Sequence, residues 1–182
     1  MRSHILTAVV AAASLTVLCA PQAIAADSGA SHDQVFLQQA HQGNLAEILA
    51  GKDAEHHATT VCVKDVGKTL VRDHSKLDAS VRKLAAETNT TLPSAPTTAQ
   101  QKQLKAVQAK AGSSAYDMAW LKVQEVAHRT TLAGIDNEIA HGKNGRVVAA
   151  AREARPVVAM HLAMVRNGVC DTSPQTHSGN SN

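Results

Sequence analysis

Apolar residues recur at alternating steps of three and four along four stretches of the chain. The clearest runs from about Thr60 to about Thr88, where Val63, Val66, Leu70, His74, Leu77, Val81 and Leu84 share one stripe. That is the period of a helix showing one face to a core. A second stretch, Ser114 to about His141, aligns Leu121, Glu125, His128, Leu132, Ile135 and Ile139. A third follows the turn Gly142-Lys143-Asn144-Gly145 and aligns Val147, Ala151, Ala154, Val158, His161 and Val165. A weaker one, about Asp33 to Asp53, sets Phe36, Ala40, Gly43, Glu47 and Ala50 on one face. Four such helices predict an all-α domain, a four-helix bundle over residues 33–170.

Local signals set the expected boundaries. Ser114-Ala115-Tyr116-Asp117 reads as a capping box,. Pro156 removes one backbone bond, so the last helix should kink near Arg152 or restart at the proline. The segment Asn89 to Ser113 holds Pro93 and Pro96, with a short helix expected after Thr98, and it is long enough to cross a bundle. Residues 26–32 read as a flexible leader and 171–182 as a disordered polar tail.

The first 25 residues carry Arg2, an apolar run from Ile5 to Ala20 and the small-x-small pattern Ala23-Ile24-Ala25. They read as a cleavable signal peptide, which predicts a secreted, periplasmic or cell-envelope protein. Leu18 stands before Cys19 where a lipobox needs a small residue, which argues against a lipid anchor. Export puts Cys62 and Cys170 in an oxidising compartment, where a disulfide is the default. One cysteine opens the second helix and the other follows the fourth, so a simple up-down-up-down bundle would hold them apart. A crossover through 89–113 brings both to the same end.

Composition narrows the partners. Lys and Arg number 18 against 15 Asp and Glu, and Phe36, Tyr116 and Trp120 are the sole aromatics of the Phe, Tyr and Trp classes. That balance and that scarcity exclude a nucleic-acid footprint. No second long apolar run would span a membrane after cleavage. No Ser-His-Asp order, Gly-rich phosphate loop or Cys-x-x-Cys pair is present, so no enzyme is expected.

Each predicted helix nevertheless carries polar or ionisable groups on its buried stripe: Glu47, His74, Glu125 with His128, and His161. A buried unpaired polar group costs about 1–3 kcal/mol, so these must meet one another, a water or an ion. Glu125-x-x-His128 has the spacing of carboxylate-bundle metal ligands. The metal set expected first is His74 with Glu125 and His128. His161 and Glu47, counted as closer to the disulfide end, are second-line ligands or a separate pair. Zinc, copper or iron suits such donors. Two readings follow: a non-enzymatic envelope or secreted binding module with an envelope protein partner, or a transition-metal-binding protein.

The fragments Asp33-x-x-Phe36, Gly43-x-x-x-Glu47-Ile48, Val71-Arg72-Asp73-His74, Tyr116-Asp117, Glu125-x-x-His128 and Arg155-Pro156-Val157-Val158-x-x-His161-Leu162 together resemble a widespread family of uncharacterised exported bacterial proteins, sometimes labelled predicted outer membrane proteins. The resemblance implies a ferritin-like four-helix bundle and no stated activity. Di-iron members of that fold class place Glu before each His. Here Val71 and Val158 stand at those positions, which departs from ferroxidase or oxygenase chemistry.

Overall fold

A computed structural model describes residues 30–172, so the signal-peptide expectation and most of the leader and tail lie outside the described residues. Among the described residues the chain is all-helical, with α1 His32–His57, α2 Val61–Glu87, α3 Thr98–Gln108, α4 Ser114–His141 and α5 Gly145–Val165, then a 3-10 turn over Arg166–Gly168. None of these described helices is long and apolar enough to cross a membrane.

The helix starts are written in short polar residues. Ser31 with Gln34, and Thr97 with Gln100, form reciprocal capping boxes on α1 and α3,. Thr60 caps α2, and Asn144 accepts from the amides of Arg146 and Val147 to cap α5,. The end of α2 is set by Asn89, at φ 51°. Its left-handed turn lets Thr90 N–H reach the carbonyl of Ala85 at 2.8 Å,.

Two expectations about local structure are corrected. Ser113 is the N-cap of α4, but its hydroxyl donates back to the carbonyl of Lys110 at 2.7 Å and makes no cap bond to the helix. Asp117 instead reaches across to α2, accepting from the amides and hydroxyls of both Thr59 and Thr60 at 2.8–3.0 Å. Burial pushes the Asp117 carboxyl up, and these bonds more than reverse it, leaving its pKa below the usual range,. The expected restart at Pro156 does not occur, because α5 runs through it. Pro156 and Arg152 are both exposed, so the carbonyl that loses its partner faces water,.

Tethers define two ends. At the upper end, where α1 and α5 finish and α2 and α4 begin, Cys62 is bonded to Cys170 with Cα atoms 6.1 Å apart. At the lower end, Asp33 of α1 accepts from the amides of Lys143 and Asn144, and Arg146 pairs with Glu87. Hence α2 and α4 run parallel, as do α1 and α5. The crossover climbs beside α1: Gln38 donates to Thr91 O, Gln42 to Ala95 O, Asp53 accepts from Gln108, and Gly112 N–H reaches His57 O.

The upper core gathers Ala54, Val63, Val66, Leu70, Tyr116, Trp120, Leu121 and Val165. Tyr116 donates to Asp53 at 2.6 Å and Trp120 to the carbonyl of Ala50 at 3.0 Å, locking α4 onto α1. The buried stripe of α1 is Leu37, His41, Asn44, Glu47, Ala50 and Ala54. It shares Glu47 and Ala50 with the expected face, but in the first half Leu37, His41 and Asn44 are buried deeper than the expected Phe36, Ala40 and Gly43, because polar partners on α2 draw His41 and Asn44 inward. His41 Nδ1 meets Asp78 at 2.6 Å. Further up, α1 and α2 cross at Gly51 and Gly67, where a Cβ on either would lie within 2.7 Å of the other's carbonyl oxygen.

Two stability tests follow. Cys170→Ser should lower the melting temperature clearly, since opening a loop of about 100 residues forfeits up to about 4.7 kcal/mol in the chain-entropy model. Gly67→Ala should also destabilise, by about 1–3 kcal/mol, because the backbones must part. An unchanged thermal midpoint in either variant would contradict the packing described.

A buried tris-histidine cluster

His74 of α2, His128 of α4 and His161 of α5 meet at mid-height. They are 3 %, 1 % and 0 % exposed. Their ring centroids lie 5.1–5.7 Å apart. One nitrogen from each ring lies within 4.8 Å of the other two.

The opposite ring nitrogens are all occupied. His74 Nδ1 donates to Asn44 Oδ1 at 2.8 Å, and His128 Nδ1 to the carbonyl of Gln124 at 2.8 Å. His161 Nε2 donates to Asp73 Oδ2 at 3.1 Å. Asp73 is ionised: the Arg72 guanidinium bonded to it, with His161 adding to the effect, holds its pKa down at about 2. These partners fix the tautomers, so His74 Nε2, His128 Nε2 and His161 Nδ1 carry lone pairs, and all three are buried without a hydrogen-bond partner,. Burial pushes all three imidazoles below the usual histidine pKa, so they are neutral,.

The residues expected at a metal site divide as follows. His74, His128 and His161 come together. Counting residues from the disulfide sets His161 closer to that end, but Cys170 lies beyond α5, past a turn with Asn167 and Gly168 in the left-handed region, so the bond does not register the helix. Glu125 does not join them. It sits at the helix edge, accepts from Arg129, and holds the amide of Asn167 at 3.0 Å. A residue four before His128 is nearer its face than one three before it, and that residue is Gln124.

Glu47 is buried and does not pair with His161. The side-chain amide of Gln124, oriented to satisfy both groups, donates to Glu47 at 2.5 Å. Burial raises the Glu47 pKa to about 8. Sequence reasoning missed Asn44, Gln124 and Asp73. Their signal was position: Asn44 lies three before Glu47, Gln124 four before His128, and Asp73 beside His74.

A second strained group lies at the lower end. Glu138 is 0 % exposed, with His32 Nε2 at 3.2 Å. Burial first, then the neighbouring Asp33, raises its pKa to about 7.

An all-helical protein with an inward-facing three-imidazole cluster is thus the class that fold and site define. The family model described as a domain of unknown function, DUF4142, matches residues 19–167, and the chain belongs to that family. No curated protein and no solved structure matches it.

The Glu138 carboxyl gives a pH test. Its folded pKa of about 7 exceeds the ordinary 4.5, so folding favours the protonated form. The stability it contributes is full below pH 4.5 and is lost as pH rises through about 7,. Glu138→Gln should therefore melt higher than the unaltered protein at pH 8, with the gap closing by pH 4. A gap that widens on acidification would reverse the assignment.

Proposed function

We propose that this is an exported transition-metal-binding protein whose ligands are His74 Nε2, His128 Nε2 and His161 Nδ1. The supporting observation is the convergence of three imidazole lone pairs in a buried space with no donor among them. A structural network would join such groups by hydrogen bonds. Here each ring already spends its N–H outward, so the inner faces repel one another until a cation lies between them. The outward bonds to a carboxylate, a carbonyl and an amide are the supports that orient histidine ligands and raise their basicity.

Three neutral nitrogen donors select zinc, copper or other late transition metals over magnesium or calcium. Bonds of about 2.0–2.1 Å at tetrahedral angles set ligand atoms about 3.3 Å apart, so a pair as wide as 4.8 Å must close by more than about an ångström on binding,. The fourth coordination position is left to water or another ligand, with Glu47 nearby in the second rank. The carboxylates of a di-iron centre are not supplied: Glu125 points elsewhere, and Val71 and Val158 stand where Glu would precede His74 and His161.

We place the domain among ferritin-like four-helix bundles, on the parallel α2 and α4 and the full-length crossover. Export is supported by the disulfide, since such bonds persist in oxidising compartments. The alternative of a purely structural module with a protein partner is weaker, because it leaves the three nitrogens unexplained.

Tag-free protein lacking residues 1–25 should bind one zinc or copper ion per chain, tighter than about 10 μM by calorimetry. His128→Ala should abolish that binding, and Asp73→Asn should weaken it about 10–100-fold by releasing the His161 tautomer. Absence of binding by zinc, copper and iron(II) would defeat the metal reading.

A further inference from the structure

Beside the histidine cluster lies a cavity of about 410 Å³ between α1, α2, α4 and α5, closed on one flank by Thr97 and Gln100 of the crossover. Its size falls in the range of small-molecule sites, about 300–1,000 Å³. It also explains why the lower core is divided. Leu37, Val81 and Val147 form one cluster and Ile135, Ala151 and Val158 another, with Phe36 against both.

Two glycines point the same way. Gly43 in α1 and Gly134 in α4 both line the cavity, and a Cβ on either would meet nothing within 4 Å. Mid-helix glycine costs about 1 kcal/mol against alanine. Unlike Gly51 and Gly67, neither is required by a close helix crossing. Each leaves space above itself, and that space belongs to the cavity.

The walls specify the occupant. No Lys or Arg lines the cavity, while Glu47 and Glu153 do, so a carboxylate or phosphate would find no counter-charge. The lining is mostly apolar by area, and of its polar residues Asn44, Glu47 and His74 are the buried ones, whereas the others, such as Gln39, Thr130 and Glu153, are exposed or half-buried. Asn44 Oδ1 is taken by His74, leaving its amide nitrogen to donate, while the Glu47 carboxyl, protonated or not, keeps an acceptor lone pair beyond those Gln124 uses,. A donor beside an acceptor matches a hydroxyl, which both accepts and donates.

We infer that the cavity binds a small uncharged molecule with an apolar body and one hydroxyl head, seated with the head between Asn44 and Glu47. The binding needs no metal, so it stands or falls separately from the histidine site.

The test uses n-octanol as probe and octanoate as its charged counterpart, on the domain with its disulfide intact. Calorimetry or ligand-observed NMR should give saturable n-octanol binding with a dissociation constant below about 1 mM, and octanoate binding at least about tenfold weaker. Gly134→Leu fills the cavity and should weaken n-octanol about tenfold or more, while zinc uptake stays unchanged. Gly43→Leu serves as the second filling variant should the first fail to fold. Gly43→Ala and Gly134→Ala should raise the melting temperature. Absence of n-octanol binding to folded protein, equal binding of octanoate, or indifference to both filling variants would overturn the inference.

Discussion

A polar group taken out of water inside this bundle must meet a partner on another element, and that requirement decides how the helices pair. His41 with Asp78 and Asn44 with His74 fix the rotation of α1 against α2. Asp53 gathers Gln108, Tyr116 and His57, binding α1 to the crossover and to α4. Asp117 holds the start of α2, and Asp33 holds the start of α5. Each bond is worth about 1 kcal/mol net, but leaving its partner unsatisfied costs up to about 3 kcal/mol, so misrotated pairings are strongly penalised. Among the described residues Glu138 and the three inner imidazole nitrogens depart from this rule, but Glu138 has His32 at 3.2 Å whereas the imidazole nitrogens face only one another, which is why they carry the functional argument.

The same rule explains what could be read from sequence. Helices with apolar stripes were legible to within a few residues: α2 and α5 show Val63, Val66 and Leu70, or Val147, Val158 and Val165, and their rotation follows from the period,. The disulfide and the crossover were legible together, because Cys62 and Cys170 could meet only if the long segment spans the bundle. On α1 the apolar signal is weak, and the face is chosen by residues such as His41 and Asn44 whose partners lie about 30 or more positions away. Single-sequence periodicity carries no information on such pairings. Glu125 was misplaced for a related reason. Its spacing to His128 is a familiar ligand pattern, but a helix edge beside Arg129 and the Asn167 amide offered it stronger company.

The division of the histidine cluster among helices also has a physical logic. α2 supplies both His74 and Asp73, the carboxylate that orients His161 on α5. Adjacent residues on a helix point about 100° apart. One therefore enters the centre while the other reaches the flank of the neighbouring helix. The partners that orient His128 and His161 thus come from within the cluster's own helices, while Asn44 of α1 orients His74, and a rotation of α2 would displace His74 and Asp73 together.

Scarcity of aromatic residues shapes what surrounds that site. Tyr116 and Trp120 fill the upper end, and Phe36 alone serves the lower. Valine, alanine and glycine cannot occupy the volume that four helices enclose when their separation is set by polar contacts at one level and a glycine crossing at another. An interior without large side chains should collapse until its voids close, since each lost contact costs dispersion energy. Here the disulfide and the capping carboxylates tie both ends of the bundle, and the Gln38 and Gln42 bonds tie the crossover along its flank. The histidine cluster therefore stands at the boundary between a packed half and an open one, buried enough to hold its imidazoles neutral yet bordered, at His74, by the cavity.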